Sequence, residues 1–201
     1  MVKSRLFSRR VPIMHACWLA LVMVAVVHAA DKPAEPVKTR EVKIKDISLT
    51  VPESWQQQKP SNRLRLAQFA IPAVKGDKSG VQLVVFSFGG SSIQANVDRW
   101  KAQFRRDGRK VKVTEGKSPQ GKYVIVDLSG TYNQPVGPPF MRKTKLLPDA
   151  RMLAVILIVK GKGVYYLKMA GGGKTVTSAA KLFRASFGGD AEKEKEFKAD
   201  N

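Results

Sequence analysis

The feature that most constrains the fold of this 201-residue chain is its apolar period, which is two residues over most of the length and helical in only two places. Val42, Ile44, Ile47, Leu49 and Val51 alternate with polar residues, and the alternation slips at Lys45-Asp46 as a β-bulge would make it. Pro52-Glu53-Ser54-Trp55 ends that strand in a turn, with Trp55 over the edge of the core. Leu64 to Ile71 reads as a second strand stopped by Pro72. Val81 to Phe88 is almost continuously apolar and reads as a central buried strand ended by Gly89-Gly90. Val111–Val113, Tyr123–Leu128, Arg151–Lys160 and Val164–Met169 complete the set, the last two joined by the hairpin signal Gly161-Lys162-Gly163. Tyr165 and Tyr166 are neighbours in a strand, so they face opposite sides and one is expected to point outward.

The two helical segments share one design. Ile93, Val97, Trp100 and Phe104 fall within an arc of about 60° on a helix. Ser91 or Ser92 can cap its start, and Gly108 lies past its end. Val176, Ala180, Phe183 and Phe187 repeat the spacing, and Gly188-Gly189 stops the second helix. The aromatics in these stripes are expected in the core rather than on a binding platform. A helix apolar on one side needs a sheet to cover it, and the short links between strands favour antiparallel pairing. The expectation is an α+β sandwich: a mostly antiparallel sheet of about seven strands with two amphipathic helices.

The amino terminus reads as an export signal. Lys3, Arg5, Arg9 and Arg10 precede an apolar run from Ala16 to Val27, and Val27-His28-Ala29 offers a cleavage site. Twelve residues of helix rise about 18 Å, short of a bilayer core of about 30 Å. An uncleaved anchor spanning Pro12 to Ala30 is the competing reading, and Cys17 is poorly placed for lipidation because most of the apolar run follows it. Cleavage after residue 29 would remove both histidines, His15 and His28, and the sole cysteine, Cys17. The mature chain would then hold no thiolate nucleophile, no disulfide and no Ser-His-Asp relay, and no Cys/His set for zinc, haem or copper. Carboxylates, lysine, tyrosine or an oxygen-ligated metal remain open to such a chain, but no particular cofactor or metal site is expected from the sequence, and the expected location is periplasmic or secreted.

Residues 30–39 form a Pro-containing linker, 40–189 a single domain, and 190–201 a charged tail without an apolar face, expected to be disordered. The full chain carries a formal charge of +20, and loss of four leader cations leaves about +16. The basic residues are spread along the sequence, so anionic partners such as an acidic glycan or a lipid head group fit better than specific nucleic-acid recognition. An envelope protein is a further candidate partner, and the sequence does not fix an oligomeric state.

Several segments together resemble a known group. Ala67-Gln68-Phe69, Val84-Val85-Phe86-Ser87-Phe88-Gly89-Gly90, Asn96-Val97-Asp98-Arg99-Trp100, Val126-Asp127-Leu128-Ser129-Gly130-Thr131-Tyr132 and Arg151-Met152-Leu153 resemble a group of uncharacterised exported bacterial proteins with a PsbP-like fold. A strand ending in Pro52 and Trp55, a helix after the third strand and a closing hairpin followed by a helix carry the same likeness. The resemblance implies the fold and says little about activity, because that fold hosts accessory and binding proteins with unrelated partners.

Three places could carry function. Gly171-Gly172-Gly173-Lys174-Thr175 suggests a phosphate loop, but the Walker spacing needs glycine where Lys168 stands, so a glycine-rich turn into the helix is the better reading. Asp127 lies in an apolar strand and needs a partner, which Arg99 or Arg151 can supply; the three form a candidate structural or ligand-binding polar cluster. Residues 133–150 read as a long connection with four prolines, presenting Phe140 beside Arg142, Lys143 and Lys145, a set suited to an anionic surface. The leading expectation is an exported, non-catalytic binding or accessory protein. The alternatives are a carboxylate-dependent enzyme acting on a glycan and a structural subunit of an envelope assembly.

Overall fold

The computed structural model describes residues 36–89, 92–137, 141 and 143–198. The expected leader, most of the linker, and the candidate residues Phe140 and Arg142 lie outside the described residues. The strands are β1 (Thr39–Ile44), β2 (Ile47–Pro52), β3 (Gln56–Gln58), β4 (Arg65–Ile71), β5 (Val81–Ser87), β6 (Lys110–Ser118), β7 (Gly121–Pro135), β8 (Thr144–Val159), β9 (Gly163–Gly172) and β10 (Lys195–Glu196). The helices are α1 (Ile93–Lys101) and α2 (Gly173–Ser186), with a short 3-10 turn at Ala191–Lys193. The fold is α+β, as the periods predict. Eight strands pair in the order β10-β6-β7-β8-β9-β5-β4-β3, all antiparallel, while β1 and β2 form a separate hairpin.

Both faces of the large sheet are covered, which is why its strands read as apolar runs. On one face α2 and the β1–β2 hairpin pack Val176, Phe183, Phe187, Leu49 and Trp55 against Phe69, Leu83, Ile125 and Leu167. On the other, Val97, Trp100 and Phe104 cover Val126, Met152, Ile156 and Tyr166. Tyr165 and Tyr166 are accordingly both buried, against the expectation that one faces solvent. The Tyr165 hydroxyl donates to Asp46 at 2.8 Å, and Tyr166 stacks on Phe88 with ring centres 4.5 Å apart.

The helix caps follow the sequence. The Ser92 hydroxyl accepts the amide of Ala95 and starts α1. After α2, Gly188 takes φ +79 and its amide donates to Ala185 O at 3.0 Å, while Gly189 N donates to Arg184 O at 2.8 Å. That pair of backward bonds satisfies carbonyls the helix leaves open, and the left-handed turn favours glycine. α1 ends earlier than the stripe predicts: Phe104 lies beyond the helix, bridged to Tyr132, and is still buried.

Three other expectations are corrected. The slip at Lys45-Asp46 is the two-residue turn of the β1–β2 hairpin, with Ile44 paired to Ile47 and Lys45 at φ +52. Residues 133–150 are mostly strand: β7 runs to Pro135, β8 starts at Thr144, and only 136–143 connect them. Of the four prolines, Pro135 and Pro148 sit where the ladder asks nothing of them. Pro135 ends its strand, and Pro148 with Asp149 stands opposite Thr131 in a bulge between the pairs Gly130–Ala150 and Tyr132–Leu147. The described part of the tail, 190–198, is folded onto the sheet. β10 pairs Lys195 with Glu115 and Glu196 with Thr114, and Glu194 is drawn into an ion pair with Arg184 at 2.8 Å. Composition suggested a solvated tail because that one contact is invisible without the helix.

Candidate functional site

The sheet register lays out a row of side chains across one face. Gln58 pairs with Gln68, Gln68 with Val84, Val84 with Lys168, and Lys168 with Ala154. Beside it runs a second row, Ala70, Gln82, Ala170 and Met152. The alanines and Val84 keep the floor low between longer side chains, and a concavity of about 500 Å³ opens there. Arg65, Gln82, Tyr132, Gln134 and Lys168 stand around it over Val84 and Phe86, and no aspartate or glutamate among the described residues lines it.

Lys168 is the centre of this basin. Its Nζ donates to Gln103 Oε1 at 2.5 Å and to Tyr132 Oη at 3.2 Å, and it lies 5.4 Å from the centre of the Tyr132 ring. Gln103 reaches it from the segment after α1, and Tyr132 from β7 just past the bulge. Burial pushes the lysine down to about 8, and the nearby charges of Arg65 and Arg99 push in the same direction. Burial also pushes the Tyr132 hydroxyl up to about 12, so it stays protonated as a neutral partner.

Arg65 stands at the start of β4, where the β4–β5 register shifts. Its Nη1 donates to Gln68 Oε1 at 2.6 Å and Gln82 Oε1 at 3.1 Å, and Gln68 Nε2 donates in turn to Gln58 Oε1 at 2.9 Å. Its Nε is buried without a hydrogen-bond partner among the described residues, and burial lowers its proton affinity. Arg99, on α1, donates to Asn96 Oδ1 and lies over Phe88 with 5.8 Å from guanidinium carbon to ring centre. Among the described residues none of Arg65, Arg99 and Lys168 has a carboxylate within ion-pair distance. Such a basin favours negative charge, because an oxyanion would balance the two lining cations, Arg65 and Lys168, and could accept from the open Arg65 Nε.

The polar cluster expected at Arg99, Asp127 and Arg151 is only partly assembled. Asp127 takes a two-pronged grip from Arg151, Nε to Oδ1 at 2.9 Å and Nη2 to Oδ2 at 2.6 Å, and Arg151 Nη1 also donates to Thr177 of α2 at 2.9 Å. The Asp127 hydrogen bonds raise the proton affinity of Arg151 further. Arg99 takes no part: α1 packs on the opposite face of the sheet from α2. The Asp127–Arg151 pair ties α2 to β7 and β8. Of the basic residues near 140, Lys143 and Lys145 are exposed, and Lys145 is the cross-strand partner of the basin residue Gln134. Gly171-Gly172 closes β9 and Gly173 begins α2, a strand-to-helix turn as expected.

Lys168 is not among the candidate residues that the sequence singles out, although it carries one signal. A lysine two positions from Tyr166 in an apolar strand shares the face of that buried ring, and a lysine there must have a reason to tolerate burial.

No protein-family model matches the sequence, and no curated protein matches it. Among solved structures the chain is similar to the solution structure of cyanobacterial PsbP (CyanoP) from Synechocystis sp. PCC 6803, with a TM-score of 0.43 and 8% identity, covering 84% of this chain and 98% of that chain. At that level the likeness concerns fold alone.

Proposed function

We propose that this chain is an exported, non-catalytic binding protein whose basin around Lys168 and Arg65 takes an anionic partner. The observation that carries the reading is the convergence of those two cations on a concavity lined by no carboxylate among the described residues. A half-buried lysine and a half-buried arginine on one concavity are electrostatically costly without a counter-charge, which favours a bound anion. Exposed Lys143 and Lys145, on and beside the strand paired to Gln134, extend positive charge outward from the rim. A basin with no acid among the described residues favours binding over carboxylate chemistry on a glycan, which wants two acids flanking one cleft.

Calorimetric titration of the protein with inorganic phosphate and with acetate, alongside Lys168→Met and Arg65→Met variants, tests the site. Binding that either substitution abolishes is the expected result. Equal anion binding by both variants overturns the assignment. The export half of the reading is tested separately by mass spectrometry of native material, with a first residue near Ala30 expected and an intact Met1 overturning it.

A further inference from the structure

The basin carries more than positive charge, and its remaining groups narrow the ligand. It is about 500 Å³, a size that takes an organic molecule rather than a bare ion. Beside an apolar floor, its lining carries three amides and two hydroxyls: Gln58, Gln82, Gln134, Ser79 and Tyr132. The Gln58 and Gln82 oxygens are already occupied, by Gln68 Nε2 and Arg65 Nη1, which leaves both NH₂ groups without a protein partner among the described residues. Gln134 has no hydrogen bond to another described side chain. Amides that both donate and accept match hydroxyl groups, which do the same, and the free NH₂ groups favour a ligand with many oxygens. Phe86 and Val84 give an apolar surface for the carbon–hydrogen face of a ring.

We infer that the basin's ligand is an acidic sugar, with its carboxylate or phosphate at Lys168 and Arg65 and its hydroxyls at the glutamines. This rests on the anion reading above and adds the polyhydroxylated ring. The carboxylate and phosphate forms share the same recognition chemistry, so the test separates them.

The protein is titrated with glucuronate, glucose 6-phosphate, acetate, inorganic phosphate and glucose. The expected result is that at least one acidic sugar binds about tenfold or more tightly than the bare ion of its own class, and that glucose does not bind measurably. The tighter of the two acidic sugars identifies the anion. Acetate and phosphate binding as well as the sugars would overturn the inference while leaving an anion site. Glucose binding as tightly as the acidic sugars would also overturn it, and no binding by any anion would remove the anion reading itself. In Gln134→Leu, the preference for acidic sugar over bare ion is expected to fall below about threefold, the loss of one ligand hydrogen bond. An unchanged preference in a folded Gln134→Leu protein counts against the placement of the hydroxyls.

Discussion

The ammonium of Lys168 and the hydroxyl of Tyr132 lie 3.2 Å apart inside the sheet face, and burial moves their proton affinities in opposite directions, the lysine down to about 8 and the tyrosine up to about 12. Only the lysine therefore titrates in an accessible range. Anion affinity needs the charged amine, so it should be full below about pH 7 and fall by up to tenfold per unit above pH 8. Calorimetry with acetate, which keeps a single charge between pH 6.5 and 9.5, checks this, and an affinity that does not change across that range counts against the role of the amine.

The same group affects folding in the opposite sense. Its folded-state affinity lies below the unfolded value of 10.5, so the unfolded chain binds more protons between about pH 8 and 10.5, and this group's contribution to stability rises with pH across that window. Lys168→Met should therefore raise the melting temperature near pH 7 in the absence of ligand, by a few degrees, because it removes a half-buried cation that has no carboxylate partner among the described residues. Thermal unfolding of both proteins at pH 7 and pH 10 measures it, and the gap between them should narrow at the higher pH.

Glu194 anchors the C-terminal segment. Its carboxylate takes Arg184 at 2.8 Å and the Thr114 hydroxyl at 2.7 Å, with the ion-pair side chains only 5% and 13% exposed for Glu194 and Arg184 respectively. Glu194→Ala leaves a buried guanidinium without its partner and should cost about 3 kcal/mol. Chemical denaturation reads that loss, and amide exchange at Phe197, whose N–H donates to Val113 O at 3.1 Å, should accelerate with it.

Asp127→Asn keeps the shape of the Arg151 contact and removes its charge. The pair is about a fifth exposed on each side, so the expected loss is about 1–2 kcal/mol by denaturant unfolding. Anion titration of the variant should be unchanged, because Asp127 packs on the α2 face and the basin opens on the other.

The period of the apolar residues determined a great deal without help: most strands, both helices, the caps at Ser92 and Gly188, and the antiparallel α+β class. Those are local consequences of which residues must turn inward every two or every 3.6 positions. What the sequence could not supply was pairing. Lys45-Asp46 looks the same as a bulge or as a hairpin turn until Ile44 meets Ile47. Glu194 is one acid in a charged run until α2 brings Arg184 to it. Lys168 is a polar residue in an apolar strand until the register sets it between Val84 and Ala154 and brings Arg65, from over a hundred residues earlier, to the same basin. Tertiary structure decided the candidate site because an anion site is made of charges far apart in the chain, and only the sheet places them together.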